Sequence, residues 1–383
     1  MTTAPRATPP LLRNLNERTV LEAIRAGAPI SRAQISRRSG ISKPTVSLAL
    51  QSLLEAGLVR EATERPDGPG YGAVYFEPVP DAALVLGLDL GARFVRGAVC
   101  DLTGSIRSRQ DVELTVASVE DAVPAIERLR SSLLDAAHLD SGRVDGVVVG
   151  VPAVVPGDAG VLRLAENVAG LEGRAFASEL QSALGLPATL ENDINLAALG
   201  EQWQGVARGV DDFVFLSVGT GMGAGLVLRG ELHRGRHGAA GEIDFALVGL
   251  DETVDPSAPQ VSELASELTG RRRDARAVFG AARNGDERAR AIVAEVARRI
   301  ALHVAPIAAV ADVELVVLGG GIGANGDLLL EPISRLLADW LPFPPRVEAS
   351  TLGEAAVLTG ALAVGLQRAL ENVFAKRPSL AAP

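Results

Sequence analysis

Asn192 and Asp193, inside the run Leu190-Glu191-Asn192-Asp193-Ile194-Asn195-Leu196-Ala197-Ala198-Leu199-Gly200-Glu201, combine side-chain type and spacing that can do chemistry. The residues before them read as a short strand over 188–191, and those after as a helix starting at Ile194 or Asn195. The pair therefore stands at a strand-to-helix turn. A carboxylate held there can take a proton or a hydrogen bond from a hydroxyl, and the neighbouring amide can orient that hydroxyl. The plainer role is an Asx cap on the first N–H groups of the helix. Glu242, in Gly238-Ala239-Ala240-Gly241-Glu242-Ile243, supplies another carboxylate. Three glycine-bearing turns accompany these groups: Asp89-Leu90-Gly91-Ala92-Arg93, Gly219-Thr220-Gly221-Met222-Gly223-Ala224-Gly225 and Gly319-Gly320-Gly321. Glycine lets backbone N–H groups approach a phosphate closely, although each run alone is equally a tight hairpin or a strand-to-helix joint.

These residues need an α/β frame. Leu84–Leu90, Phe94–Leu102 and Ser105–Leu114 read as successive antiparallel strands, followed by a helix over 118–139 and the apolar strand Val147–Val151. A helix over 175–185 leads to the strand that delivers Asn192 and Asp193. A second round opens near Asp211, with strands Phe213–Val218 and Leu226–Leu228, helices over 261–310, and strand Leu315–Leu318 entering the glycine run. A helix (326–340), a strand (Arg346–Ala349) and a long helix from Glu354 finish the chain. Two rounds, each opening with a glycine-punctuated hairpin, imply a duplicated fold with a cleft between lobes.

In front of that frame the texture differs. Helices fit Asn14–Ala26, a short segment capped by Ser31 and stopped at Gly40, and a third capped by Ser42 with Pro44 in its first turn. Val46, Leu50, Leu53 and Leu54 form an apolar stripe on the third, leaving Lys43, Thr45, Ser47 and Gln51 outward. Leu58-Val59-Arg60 and Val74-Tyr75-Phe76 read as the strands of a wing around the loop 66–72. Short polar groups plus a cation suit the major groove, so Ser31, Arg32, Ser42, Lys43, Thr45, Ser47 and Gln51 are the candidate DNA contacts. A tri-helical protein-interaction module is the alternative. Residues 1–10 read as disordered, and Pro78–Pro80 as a linker; the winged helix-turn-helix thus occupies 1–79 and the effector domain 80–383. Within the latter, lobe 1 spans about 80–205 plus the C-terminal helix, and lobe 2 about 206–355.

Charge supports that division. Residues 1–65 carry ten Arg/Lys against five Asp/Glu, a net of +5, whereas the rest carries 27 against 42, a net of −15. A basic head on an acidic body suggests that only the head meets an anionic polymer. The single cysteine, Cys100, excludes an internal disulfide and a thiolate zinc cluster. The N-terminus lacks the apolar core of a signal peptide, and the apolar stretch 300–323 is broken by His303, Pro306, Asp312 and Glu314. A cytoplasmic protein with no membrane partner is expected.

Taken in order, Asp89, Val147-Val148-Val149-Gly150-Val151-Pro152, the Glu191–Glu201 run, the Gly219–Gly225 run and Gly238–Ile243 resemble the ROK family of repressors, open reading frames and sugar kinases. The resemblance covers nearly the whole chain. It implies a two-lobed actin/hexokinase-like (ribonuclease H-like) α/β effector domain, preceded by the all-α winged head that family repressors have and stand-alone kinases lack. It also implies roles. Asp193 matches the general base on the sugar hydroxyl, Asn192 and Glu242 match sugar-binding groups, and Asn167 lies in a loop comparable to one that borders the sugar. The turns holding Asp89, Gly91, Gly219, Thr220, Gly221, Gly223, Gly319, Gly320 and Gly321 match the phosphate-embracing segments.

Departures from the family pattern point away from catalysis. Arg93 replaces the usual Thr or Ser at the first phosphate turn. Asp244 and Phe245 stand where kinases have Gly-His, and the Cys-rich zinc loop is replaced by 246–263, expected to be a metal-free loop. No cofactor is required on this reading and no zinc is expected; ATP and magnesium enter only if kinase activity survives through Asp193. The expected protein is a DNA-binding regulator, acting as a homodimer or higher homo-oligomer on a double-stranded operator. A sugar or sugar-phosphate effector would change lobe closure and hence the spacing of its heads. The alternatives are a sugar kinase that kept its DNA-binding head, and a ligand-independent regulator with a vestigial pocket.

Overall fold

Three helices build the head: α1 (Pro9–Arg25), α2 (Arg32–Ser39) and α3 (Lys43–Glu55). They belong to a computed structural model that describes residues 9–63, 73–157, 161–165, 167–246 and 255–375. Helix α1 begins five residues before the expected Asn14, because prolines are accommodated in a first helical turn; of the N-terminal stretch, 1–8 lie outside the described residues. Ser42 caps α3 by accepting the Thr45 N–H, and Gly40 closes α2 with φ +70°. Strands β1 (Ile30–Ser31), β2 (Val59–Glu61) and β3 (Tyr75–Pro78) form a sheet in the order β1-β3-β2. The wing loop 66–72 lies outside the described residues. The expected linker is a correction: Pro78 pairs with Val59 in the sheet, and Pro80 opens a 3-10 turn whose carbonyl accepts the Leu102 N–H.

The body repeats one pattern twice. Its first sheet joins β4 (Leu84–Leu90), β5 (Phe94–Asp101), β6 (Ile106–Glu113), β7 (Gly146–Val151) and β8 (Ala188–Asn192) in the order β6-β5-β4-β7-β8. Helices α4 (Val119–Ala137) and α5 (Phe176–Leu184) cover one face. The second sheet joins β9 (Phe213–Val218), β10 (Met222–Leu228), β11 (Glu231–Leu232), β12 (Leu315–Gly319) and β13 (Arg346–Ala349) in the order β11-β10-β9-β12-β13. In both, an antiparallel meander continues into parallel strands, the duplicated two-lobed plan expected from the sequence. Helices α7 (Ala258–Thr269), α8 (Ala275–Arg283), α9 (Glu287–Ala311) and α11 (Gly326–Trp340) pack on the second sheet, with the four-residue α10 (Gly320–Gly323) at the glycine run. The expected loop 246–263 is corrected in part, since α7 already starts at Ala258; residues 247–254 lie outside the described residues. Among the described residues, no helix is long and apolar enough to cross a membrane.

Two helices join the halves. Helix α6 (Asp193–Gln204) packs along α12 (Ala356–Ala375), and both lie between the sheets. Their backbones approach at two glycines. A Cβ on Gly200 would overlap the Ala356 carbonyl oxygen, and one on Gly360 would overlap the Leu196 carbonyl oxygen. Backbone cannot step aside as a side chain can, so Gly360→Val is expected to cost about 1–3 kcal/mol or more. Gly142, with nothing within 4 Å of a built Cβ, is the control for alanine. Thermal melts that left Gly360→Val as stable as Gly142→Ala would refute the close-packed crossing.

Head and body share one core. Val20, Leu21 and Ile24 of α1 cluster with Val85, Cys100 and Leu102 of the first sheet and with Leu362, Leu366, Leu370 and Phe374 of α12. Arg18 stacks over the Phe374 ring at 5.6 Å and reaches Glu371 at 3.8 Å. The Cys100 thiol, inside this cluster, is pushed up to about 12 by burial, which keeps it protonated and inert.

Candidate functional site

Four segments bring the site together: the end of β4, the β8–α6 turn, the β9–β10 turn and the 3-10 turn at Ile243–Phe245. At the β8–α6 turn the cap is Asn192. Its Oδ1 accepts the Asn195 N–H at 3.0 Å, and its Nδ2 donates to the Ala153 carbonyl at 3.2 Å. The Asx-cap role and the chemical role thus fall on different residues, and Asn192 is largely spent on structure. Asp193 occupies the first helical position, and its Oδ1 accepts the Ile194 N–H at 2.9 Å. Beneath them Glu191, 6% exposed, accepts from Asn195 Nδ2 and from the Asn192 N–H, while Arg234 of the other lobe donates to its second oxygen at 2.7 Å. Glu191 and Arg234 were missed by sequence reasoning; an acid preceding Asn-Asp in a strand carries no distinguishing pattern.

Asp193 lies in a field of carboxylates. Burial pushes its carboxyl up to about 7, and Asp89 and then Glu242 repel its charge in the same direction. Asp89, buried near the end of β4, is raised by burial although Arg96 holds it at 3.2 Å. Arg96 also reaches Glu354 at 3.3 Å and Asp111 at 3.6 Å. Glu242 is raised by burial and by Asp244. Asp244 in turn is raised by burial and by Asp255, with the Met222 backbone and His303 opposing. Asp193 thus feels the charges of both Asp89 and Glu242.

The remaining candidates divide. Gly219 and Gly321 adjoin, since a Cβ on Gly219 would lie 3.7 Å from the Gly321 nitrogen, and Gly320 has φ +76°. Thr220 and Gly221 are exposed on the β9–β10 turn, whereas Gly223 is buried under Ile194. Gly319 faces the Phe215 ring, so its lack of a side chain serves packing. Gly91 closes the first hairpin by donating to the Phe94 carbonyl. Arg93, singled out from sequence, points to solvent 3.7 Å from Glu113. Asn167 sits exposed on a turn of its own loop, and no hydrogen bond joins it to Asn192, Asp193 or Glu242. Among the described residues no three His, Cys, Asp or Glu side chains group as metal ligands, and Phe245 is 70% exposed.

A cavity of about 650 Å³ lies at the other end of the strands. Asp145, Thr189, Gln202, Arg234, Gln367 and Arg368 are among its lining residues. We place the site at the carboxylate cluster instead, because ligands of such sheets bind beyond the carboxyl ends of the strands, where Asp89 and Asp193 stand.

On the head, Arg32, Ser42, Lys43 and Gln51 are exposed and Thr45 and Ser47 half-buried. Ser31 is corrected: it is 9% exposed, and its hydroxyl bonds Gln34 Oε1 at 2.7 Å in a capping box, so it stabilises α2 rather than facing DNA. Leu48, which sequence reasoning passed over, is 70% exposed on the outward side of α3.

Comparison with known proteins agrees with both parts. A ROK family model matches residues 85–368, and a MarR family model matches residues 13–68. The chain is 25% identical to the xylose repressor of Caldicellulosiruptor bescii, over 92% of this chain and 96% of that one. It is 29% identical to the glucokinase of Thermotoga maritima, over 74% of this chain and 98% of the enzyme. A solved ROK family transcriptional regulator, a homologue of the Escherichia coli MLC protein, superposes with TM-score 0.78 at 22% identity over 95% of this chain and 98% of its own.

Proposed function

The chain belongs to the ROK family, and we propose on that premise that it is a sugar-responsive transcriptional repressor. It holds a DNA operator through the head and releases it when a sugar occupies the site around Asp193. The observation that carries this reading is the course of α6. The helix starts in the site at Asp193 and ends beside the head, where Trp203 lies against Gly104 and Gly104 in turn neighbours Arg25 of α1. Twelve residues of helix span about 18 Å, so a shift at one end is delivered rigidly to the other. Two such chains, paired as a homodimer or a larger assembly, would convert that shift into a change of head spacing.

Kinase activity is the second reading, and the carboxyl of Asp193 poised near 7 favours it, since a general base works best near the ambient pH. The turns fit a nucleotide phosphate poorly, because Asp244 already lies against the β9–β10 turn and Arg96 is committed to Asp89.

Fluorescence anisotropy on a labelled operator, selected from random duplexes, tests the proposal. D-Xylose, D-glucose, their phosphates and other common pentoses and hexoses are the probes. At least one should weaken operator binding by about tenfold or more. Trp203→Ala should retain operator and sugar binding while losing most of that release. If no sugar in the panel changes operator affinity, the repressor reading fails; if Trp203→Ala releases normally, the route through α6 fails.

A further inference from the structure

The β9–β10 turn is a place where backbone N–H groups could cradle an anion, yet the protein already places one of its own there. A Cβ on Gly221 would lie 3.7 Å from Asp244 Oδ2, and the Met222 backbone favours the charge of the same carboxylate. Glycine turns attract anions through such N–H groups, and Asp244 meets that attraction from within. Its neighbours reinforce the exclusion. Asp193 feels Asp89 and Glu242, Glu242 feels Asp244, and Asp244 feels Asp255, a continuous row of negative groups. Arg96, the guanidinium on Asp89, is shared among Asp89, Asp111 and Glu354. His303 tempers Asp244. An incoming phosphate would have to displace Asp244 from the turn and then meet the charge of this row of carboxylates. An uncharged polyol meets no such opposition, because carboxylates accept its hydroxyls.

We propose that Asp244 is a specificity-determining residue, a built-in anion on the β9–β10 turn that makes the site accept unphosphorylated sugars and refuse phosphorylated sugars and nucleotides. This rests on the site around Asp193 being the effector site. The sequence marks Asp244 as a departure, standing where kinases have Gly, and its contact across to Gly221 reveals the role.

Calorimetry with inorganic pyrophosphate reads Asp244 independently of which sugar the site prefers. The wild-type chain should show no saturation up to about 10 mM, and Asp244→Asn should gain affinity by about tenfold or more. Asparagine keeps the shape, so the change isolates charge. Asp244→Gly is the second variant, and retained operator binding certifies that both are folded. Tight pyrophosphate binding by the wild type, or no gain in either variant, would overturn the assignment. On the operator, D-glucose 6-phosphate releasing the DNA more effectively than D-glucose would overturn the ligand class while leaving the sugar-responsive repressor intact. A chain that no sugar releases would remove the repressor reading, and pyrophosphate would still report on Asp244.

Discussion

Asp193→Asn should melt above the wild-type protein at pH 8, lose most of that advantage by pH 5, and respond to the effector about tenfold less or worse. The folded carboxyl sits at about 7, against an ordinary 3.8. Between those values the folded chain holds a proton that the unfolded chain has released, so stability falls as pH rises through the window. The contribution is fully present below about pH 4 and gone above about pH 7. Each pH unit across the window costs at most about 1.4 kcal/mol, which makes a few kcal/mol in total the ceiling. Asparagine cannot ionise, so the variant avoids that loss. Capping is not at stake, because the cap is Asn192. A difference in melting temperature that stays constant from pH 5 to pH 8 would show that Asp193 ionises freely. A stabilised variant with an unchanged effector response would place the ligand elsewhere. The combination of gain and loss is what a group retained for function, at a cost in stability, should give.

Elements with strong local punctuation were readable from sequence. Ser42 and Pro44 mark the start of α3, and Gly219 marks the turn after β9, because caps and glycines act within a few residues. Strand β10 begins at Met222, four residues before the expected Leu226, so Gly223 and Gly225 lie inside the strand. What escaped depends on register or on distant partners. Leu90 pairs with Val95 across the first hairpin, which forces Asp89 opposite Arg96. Counting outward from the turn reaches Arg96, whereas the family pattern marks only Arg93 at the turn itself. Asn192 and Asp193 are both Asx residues, and only the Ala153 carbonyl, 39 positions away, decides which of them turns back to cap α6. Strand β1 is two residues long and leaves no periodicity to read. Trp203 and Asp244 gain their roles from Gly104 and Gly221, contacts that no local pattern encodes.

Replacing Lys43, Thr45 and Ser47 together by alanine should abolish sequence-specific operator binding, a fall of about a hundredfold or more, while leaving the melting curve nearly unchanged. The three residues stand in the first turns of α3, with Lys43 exposed. Helix α3 is held by Val46, Leu50 and Leu53 on its other side, each no more than 1% exposed, so the substitutions leave the core alone. Ser42 keeps its bond to the residue-45 N–H, and the lost side-chain bonds are exchangeable with water: Ser47 Oγ to the Lys43 carbonyl, and Thr45 Oγ1 with Ser42 Oγ. On binding DNA those hydroxyls can turn to base edges or phosphates, and Leu48 offers an apolar contact beside them that a thymine methyl could fill. The single change Lys43→Ala separates two roles. If the ammonium meets a phosphate, binding weakens uniformly across sequences and the slope of log affinity against log salt falls by about one. If it reads a base, discrimination at one position is lost, at about 1–3 kcal/mol. Footprinting in which the triple variant still protects its operator normally would remove α3 from the interface and return the head to a protein-binding module.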